Sequence, residues 1–97
     1  MIIFVDIDNT ICTTNGTEYD NSLPIKKNID KINLLYDNGH TIVYWTARGT
    51  KLSTNFFALT YEQLNNWGAK FHELRMGKPY FDLFIDDKAI TSNLFFN

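Results

Sequence analysis

The fold is decided by the stretch Ile2-Ile3-Phe4-Val5-Asp6-Ile7-Asp8, in which four consecutive apolar residues are followed by two aspartates two positions apart. An uninterrupted run of β-branched and aromatic residues of this length is typical of a strand buried on both faces, as in parallel sheets. Side chains two positions apart along an extended chain point to the same side. The sequence therefore predicts a buried strand over residues 2–5 that ends in two aspartates on one face.

Helical and strand-like patterns alternate through the rest of the chain. In order, the sequence predicts a turn or short hairpin over 11–24, a helix from about Pro24 to Asp37 closed by Gly39, a strand over 40–46, a loop over 48–51, a helix over 54–67 closed by Gly68, a short strand over 69–74 and a last strand over 80–85. Such alternation is the signature of parallel βαβ units with right-handed crossovers. We therefore expect an α/β fold: one domain over residues 1–97 with a small, doubly wound, Rossmann-like parallel sheet. On the second helix, Phe57, Leu64 and Trp67 share one face, with Tyr61 between them.

The composition excludes several classes of protein. Hydrophobic residues make up 44% of the 97 residues, as in a globular domain, and the net charge of −2 disfavours a nucleic-acid partner held by phosphate neutralisation. The single cysteine, Cys12, excludes an internal disulfide, and the sequence has no Cys/His cluster for zinc. It also has neither a membrane-length apolar run nor a signal peptide, so we expect a cytoplasmic protein without a membrane partner.

Charged and hydroxyl side chains stand at the ends of the predicted strands, where open α/β sheets bind ligands. They are Asp6 and Asp8 after the first strand, Thr46 and Arg48 after the second, Lys78 before the last, and Asp86 and Asp87 after the last. Four carboxylates at one edge repel one another unless a cation holds them, and hard oxygen ligands suit Mg²⁺. With Lys78 and Thr46 facing an anion beside that metal, the pattern indicates a phosphoryl-transfer site.

The spacing of Asp6 and Asp8 suits a two-step hydrolysis. One carboxylate can bind the metal and attack phosphorus. The other can donate a proton to the leaving alcohol and later take one from water. This divides a difficult hydrolysis into two easier steps through an aspartyl phosphate.

The order of these groups resembles the haloacid dehalogenase superfamily of phosphohydrolases. The superfamily's four motifs correspond here to Asp6-Ile7-Asp8-Asn9-Thr10, to Thr41-Ile42-Val43-Tyr44-Trp45-Thr46, to Gly77-Lys78-Pro79 and to Asp82-Leu83-Phe84-Ile85-Asp86-Asp87. They occur in family order over residues 2–87, which is nearly the whole chain. The resemblance implies a HAD-like fold and a phosphatase that depends on Mg²⁺.

The resemblance also implies a role for each motif residue. Asp6 is the expected nucleophile and a metal ligand, and Asp8 is the expected general acid/base, whose main-chain carbonyl also reaches the metal. Thr46, with the backbone N–H of Ala47, is expected to hydrogen-bond the phosphoryl group. Lys78 is expected to neutralise charge on Asp6 and on the phosphate.

The remaining candidates complete the predicted site. Asp86 and Asp87 are expected to finish the metal shell, and the sequence does not decide which of them binds directly. Arg48 is expected to contact the phosphate or the substrate; the alternative is a solvated loop arginine.

The predicted elements leave no room for the cap domain that family members usually insert after the first motif or between the second and third. Capless members resemble enzymes that act on large substrates or that borrow a neighbouring subunit to cover the site. The stretches Lys78–Asp82 and Ile85–Ala89 are similar to small phosphatase-like proteins of capsule and sugar-nucleotide pathways. We therefore expect a sugar phosphate or a related small phosphorylated metabolite as substrate.

The sequence also bears on several other interpretations. A nucleotide or polynucleotide-end phosphatase, and a catalytically idle scaffold that keeps the fold, both remain open. A phospho-receiver domain is disfavoured because Lys78 precedes the last predicted strand and the acid pair follows it. An EF-hand fails because Ile11 and Thr17 stand where its Gly and Glu belong. The glycine-rich loops of dinucleotide-binding modules and NTPases are absent.

Aromatic residues exceed what so small a core needs. These residues are Tyr19, Phe56, Phe57, Tyr80, Phe95 and Phe96. They predict a homo-oligomer in which a second subunit covers the site. The alternative is that they simply fill the core.

Overall fold

A parallel sheet forms the centre of the protein in the computed structural model, which describes residues 1–52 and 54–97. In chain order the elements are β1 (Ile2–Val5), β2 (Cys12–Thr13), a 3₁₀ turn (Tyr19–Asn21), β3 (Leu23–Pro24), α1 (Lys26–Asp37), β4 (Thr41–Trp45), α2 (Phe57–Asn66), β5 (Glu73–Arg75) and α3 (Ser92–Phe95). Among the described residues the main sheet has three strands in the order β1-β4-β5, and both of its pairings are parallel. The expected α/β class is confirmed.

One face of the sheet carries the hydrophobic core. Val5 lies opposite Tyr44, and Tyr44 lies opposite Leu74, so these three side chains share that face. Both long helices pack on it, because buried residues of α1 and α2 belong to the same cluster. The fully buried helical members are Ile29, Ile32 and Leu64.

The opposite face is more open than the sequence predicts. Ile2 and Phe4 are exposed, so the prediction that residues 2–5 are buried on both faces is wrong. The strand order explains this: the chain moves the same way at both crossovers, and right-handed crossovers then place both helices on one face. The described strands therefore lack the reversal of order that a doubly wound sheet requires. Phe4 packs edge-to-face on Trp45, with 5.8 Å between ring centroids.

The predicted hairpin after β1 is confirmed, and it moves the start of the following helix. β2 and β3 pair antiparallel, with Cys12 opposite Pro24. Because Pro24 belongs to this ladder, α1 begins at Lys26 and not at Pro24. The helix ends where predicted, and Gly39 adopts the positive φ of 92° that a left-handed helix end favours.

α2 begins at Phe57, three residues later than Thr54, where the sequence predicts its start. The Asn55 side-chain oxygen accepts a hydrogen bond from the Phe57 N–H at 2.9 Å and so satisfies one of the free donors at the helix start. Ser53, inside the loop that leads to this helix, lies outside the described residues.

The predicted last strand is absent from the described residues. Residues 79–91 are all exposed and contain no strand, so the prediction of a strand over 80–85 is wrong for this structure. The cause lies just upstream, where the backbone N–H of Lys78 bonds the Thr46 carbonyl at 3.1 Å. The chain therefore enters this stretch at the carboxyl end of the sheet, the wrong end for a strand running parallel to β1. Afterwards α3 returns to the body, and Phe95 and Phe96 pack against the core.

Within the described part of the chain, no helix combines the length and the apolar character that crossing a bilayer requires.

Candidate active site

Asp6 stands at the carboxyl end of β1 and is paired with a lysine. Its Oδ1 lies 3.3 Å from Lys78 Nζ, and its Oδ2 accepts a hydrogen bond from Thr10 Oγ1 at 3.2 Å. The Asp6 side chain is 38% exposed, so its carboxylate is held in place while remaining open to solvent. The predicted pairing of Asp6 with Lys78 is present, although 72 positions separate them in the chain.

Lys78 is brought to Asp6 by its own backbone. Its N–H bonds the carbonyl of Thr46, the residue that follows β4, and the preceding Gly77 adopts a φ of 79°. The ammonium group lies 5.8 Å from the centroid of the Trp45 ring and 5.5 Å from that of the Phe81 ring. These aromatic faces stabilise the cation and limit its positions.

Thr46 directly follows β4 and is buried. Its N–H bonds the Arg75 carbonyl at 3.0 Å, and its Oγ1 accepts the Arg48 N–H at 3.1 Å. Since Oγ1 is already an acceptor, its own hydroxyl hydrogen is available as a donor. Ala47 is half-buried beside it. The predicted phosphate contacts of both residues stay predictions.

Asp8 is bound by a buried arginine. Arg48 Nη2 lies 2.8 Å from Asp8 Oδ1, and Arg48 Nε lies 3.0 Å from Oδ2. Thr14 Oγ1 donates a further hydrogen bond to Oδ1 at 2.6 Å. The two-point contact with a planar guanidinium fixes the orientation of the Asp8 carboxylate.

The guanidinium of Arg48 uses all of its donors inside the protein. Beyond Asp8, Nη1 donates to Thr60 Oγ1 at 3.1 Å and to Gln63 Oε1 at 2.6 Å, while Nη2 also donates to Ser22 Oγ at 3.3 Å. A guanidinium has five N–H groups, and each has a partner here. Arg48 is therefore not a solvated loop arginine. It positions Asp8, and its predicted contact with the phosphate or the substrate stays a prediction.

This buried cation explains why the inner face of α2 differs from the sequence pattern. Phe57 and Tyr61 lie outside, stacked on each other with 5.8 Å between centroids, while Thr60 and Gln63 are buried next to Leu64. A buried guanidinium requires oxygen acceptors, and the helix supplies them from positions where the apolar pattern predicts none. The prediction that Phe57 shares the inner face is wrong.

Four polar residues of this network were missed by the sequence analysis. Thr14, Ser22, Thr60 and Gln63 hold Asp8 and Arg48, and Gln63 Nε2 also donates to the Tyr19 carbonyl at 2.6 Å. The available signal was weak: Thr60 and Gln63 are three apart on a helix and so lie on one side of it. Nothing in that spacing names Arg48 as the partner.

Asp86 and Asp87 are exposed and interact with each other. A hydrogen bond between their side chains lowers the pKa of Asp86 and raises that of Asp87, and the Lys88 N–H also donates to Asp86 Oδ1 at 3.2 Å. In residues 1–52 and 54–97, no three His, Cys, Asp or Glu side chains come together in a way that could hold a metal ion. The structure does not bring the acid pair into a cluster with Asp6 and Asp8.

A cleft of about 1000 Å³ runs between β1 and the segment 84–96. Asp6, Lys78 and Asp86 line it together with apolar side chains such as Phe4 and Phe84. Asp6 and Asp86 are hard oxygen donors of the kind that Mg²⁺ prefers, whereas the Asp8 carboxylate is occupied by Arg48. The described residues of a single copy therefore do not form the predicted carboxylate cage.

The chain was compared with known proteins. No family model matches it, and no curated protein matches it. The crystal structure of a structural-genomics target from Vibrio cholerae superposes on 99% of this chain and 88% of its own, with a TM-score of 0.86 and 27% sequence identity. The α/β architecture is thus shared with a solved protein over nearly the whole chain.

Proposed function

We propose that the protein is a phosphomonoester hydrolase in which Asp6 is the nucleophile. The observation that supports this most directly is the 3.3 Å contact between a half-exposed Asp6 carboxylate and Lys78 Nζ in an open cleft. An ammonium group beside a nucleophilic carboxylate attracts a dianionic phosphate and reduces its repulsion with the attacking oxygen. An ion pair that only stabilised the fold would not need a carboxylate open to solvent, as that of Asp6 is.

The proposed reaction has two steps. An Asp6 oxygen attacks phosphorus, the bond from phosphorus to the alcohol oxygen breaks, and Asp8, which must carry a proton at this step, gives that proton to the leaving oxygen and becomes a carboxylate. Water then attacks the aspartyl phosphate, Asp8 takes a proton from that water, and inorganic phosphate leaves with Asp6 restored. Arg48 and Thr14 orient the Asp8 carboxylate, which is the form that accepts a proton in the second step.

Thr46 and Lys78 are the proposed phosphoryl contacts. Lys78 supplies positive charge next to Asp6, and the Thr46 hydroxyl retains a free hydrogen. Ala47 N–H is the proposed third donor. Donors fixed before the substrate arrives stabilise the charge of the transferring group without reorganising during the reaction.

Dependence on Mg²⁺ is part of this proposal as a prediction from the sequence motifs. When bound, the ion would neutralise charge on the phosphoryl oxygens. The two proposed steps use only the protein's own groups, because residues 1–52 and 54–97 of one copy do not bring four carboxylates together.

A small phosphorylated metabolite such as a sugar phosphate is the proposed substrate class. The cleft beside Asp6 is open, and its wall combines Lys78 with apolar side chains such as Phe84. A panel of sugar phosphates, nucleotides and 5′-phosphorylated oligonucleotides would separate this class from the nucleotide and polynucleotide-end alternatives.

Hydrolysis of p-nitrophenyl phosphate, with and without Mg²⁺, tests the proposal. We expect Asp6→Asn to lower turnover by at least about 10³-fold, as removal of a nucleophile does. Asp30→Asn is the matched control, since Asp30 is an exposed carboxylate on α1 that pairs with Lys26. Activity that is equal in wild type, Asp6→Asn and Asp30→Asn, or absent from all three, would overturn the proposal.

A further inference from the structure

The edge of β1 that faces away from β4 has backbone groups without partners. In the parallel pairing, the Thr41 N–H bonds the Met1 carbonyl at 2.9 Å. The direction of the backbone groups alternates along a strand, so the odd-numbered residues of β1 face β4, and Ile2 and Phe4 face the open edge. Among the described residues, the N–H and C=O groups of Ile2 and Phe4 have no hydrogen-bond partner. Four backbone groups therefore remain available to a partner outside the chain.

The cleft between β1 and the segment 84–96 follows this edge along its whole length. All six residues from Met1 to Asp6 line it, and at about 3.3 Å per residue they span about 17 Å. The cleft volume of about 1000 Å³ then corresponds to a cross-section of about 60 Å². One extended chain needs about 4.8 Å in the plane of the sheet and about 10 Å across it, which is about 50 Å². The cleft is therefore a groove with room for one more strand.

The walls of this groove are apolar on both faces of the sheet. Phe4 and Trp45 line it on the outer face, where their rings pack edge-to-face, and Ile3 and Ile32 line it next to the hydrophobic core. Phe84, which is 49% exposed, belongs to the lining as well. A strand placed here would bury apolar side chains on both of its faces, as the strands of a parallel sheet do.

The unpartnered backbone groups indicate what kind of occupant fits. A lipid chain could cover the apolar walls, but it would leave the four N–H and C=O groups without partners in a groove from which it had displaced water. An extended polypeptide carries donors and acceptors at the spacing of β1 and covers the walls with its side chains. The sheet edge of a second copy would bring further strands and helices into a space that fits one strand.

The charged side chains of the groove balance one another. Two of those that line it are acidic and two are basic: Asp6, Asp86, Lys78 and Lys88. The groove therefore favours no net charge in its occupant, and the apolar walls favour β-branched and aromatic side chains.

We propose that the groove beside β1 binds an extended, uncharged and apolar segment of another protein, which adds a strand to the described sheet next to β1. About five residues of the segment contact the edge, since that number matches the length of the groove at about 3.3 Å per residue. The binding uses main-chain hydrogen bonds and apolar contacts, so it is independent of the proposed function.

Two peptides with the same side chains test the proposal. Each consists of five alternating Val and Ile residues with a soluble, fluorescently labelled tail. One is N-methylated at every second residue, which leaves one edge free to pair and prevents self-association; the other is N-methylated at every residue, which blocks both edges. Fluorescence anisotropy should show saturable binding of the first and at least about tenfold weaker binding of the second. Equal affinities, or no binding of the first peptide, would overturn the proposal.

A matched pair of variants tests the position of the groove. Phe84→Ala removes an exposed ring from its lining and should weaken binding of the singly blocked peptide by at least about fivefold. Leu34→Ala removes a side chain that is 60% exposed on α1 and outside the groove, and it should leave the affinity within about twofold of the wild type. Equal effects of the two substitutions would place the peptide elsewhere.

Hydrogen exchange of the wild-type chain tests the main-chain contact without any substitution. Saturation with the singly blocked peptide should slow exchange of the Phe4 amide, which faces the open edge, by at least about tenfold. An unchanged rate would contradict strand addition. A Phe4 amide that is already protected without peptide, in a chain that sediments as a dimer, would assign the groove to a second copy and overturn the proposal.

Discussion

The guanidinium of Arg48 donates to both carboxylate oxygens of Asp8 from a position without solvent contact, while Asp8 itself keeps 22% of its side chain exposed. The pair thus joins a buried cation to a partly exposed acid. Because all five donors of Arg48 are used, the carboxylate has one preferred orientation.

Arg48→Met should destabilise the protein. It removes the partner of a largely buried carboxylate and leaves Thr60 and Gln63 without their donor, so we expect a loss of about 3 kcal/mol in the free energy of unfolding. Urea denaturation measures this loss. Lys70→Met is the control, because Lys70 forms an exposed pair with Asp37 that should contribute less than about 1 kcal/mol.

The positioning role of Arg48 has its own readout. Arg48→Lys keeps the charge but loses the two-point contact with Asp8, so under the proposed function kcat should fall while KM stays nearly constant. Equal stability of Arg48→Met and Lys70→Met would contradict the structural importance of the pair.

Lys78→Met should lower turnover while leaving stability nearly unchanged. Its side chain pairs with a half-exposed Asp6, so the effect on unfolding should stay below about 1 kcal/mol. Loss of a preorganised charge beside the phosphoryl group should reduce kcat/KM by about 10²–10³-fold. Steady-state kinetics measure the difference. Lys70→Met should leave kcat/KM at the wild-type value; a matching loss there would refute the assignment of Lys78.

Gly49→Ala should be severely destabilising. Gly49 has a φ of 84°, and a Cβ there would overlap the Thr54 carbonyl oxygen and press on the Phe56 ring. Strain and overlap together should cost more than about 3 kcal/mol. Gly16→Ala is the matched control: Gly16 also has a positive φ, 58°, but open space around it, so about 1 kcal/mol is expected. Similar melting temperatures for the two variants would contradict the close approach.

Tyr44→Phe should keep or increase stability. The Tyr44 hydroxyl is buried and has no hydrogen-bond partner within residues 1–52 and 54–97. Removing an unsatisfied hydroxyl should stabilise the fold by up to about 1 kcal/mol. Tyr61→Phe, at an exposed position, is the control and should change little. A clear loss of stability in Tyr44→Phe would show that the hydroxyl has a partner.

The protein should lose stability at alkaline pH. Burial raises the pKa of Cys12 and that of Tyr44 above their ordinary values of 9.0 and 10.0. Well below pH 9 both groups are protonated in both states; as the pH rises, the unfolded chain ionises first, Cys12 from about pH 9 and Tyr44 from about pH 10. The free energy of unfolding should then fall by up to about 1.4 kcal/mol per pH unit and group. The fall above pH 10 should be smaller in Tyr44→Phe, and an unchanged slope would contradict this assignment.

Local patterns predicted most of the fold. The strand at 2–5, the hairpin near Cys12 and the helix that ends before Gly39 all depend on residues close together in the chain. The contact between Asp6 and Lys78 was expected from the resemblance in motif order and not from strand geometry, because Lys78 precedes the last predicted strand.

Predictions that depend on distant partners were less successful. The segment 80–85 has the composition of a strand, but the hydrogen bond between Lys78 and Thr46 sends it away from its own sheet. The inner face of α2 was predicted from apolar spacing, and the buried charge of Arg48 overrides that spacing. Neither effect can be recognised from the residues near it in the sequence.

The hydrogen bonds from Arg48 to Thr60 and Gln63 tie the geometry of Asp8 to a helix that does not touch the cleft. A substitution at Thr60 or Gln63 would change the orientation of the Asp8 carboxylate without changing any residue that lines the cleft. In an alignment of relatives, these four residues should therefore change together: Asp8, Arg48, Thr60 and Gln63. Relatives in which only one of them is replaced should have lost the proposed activity.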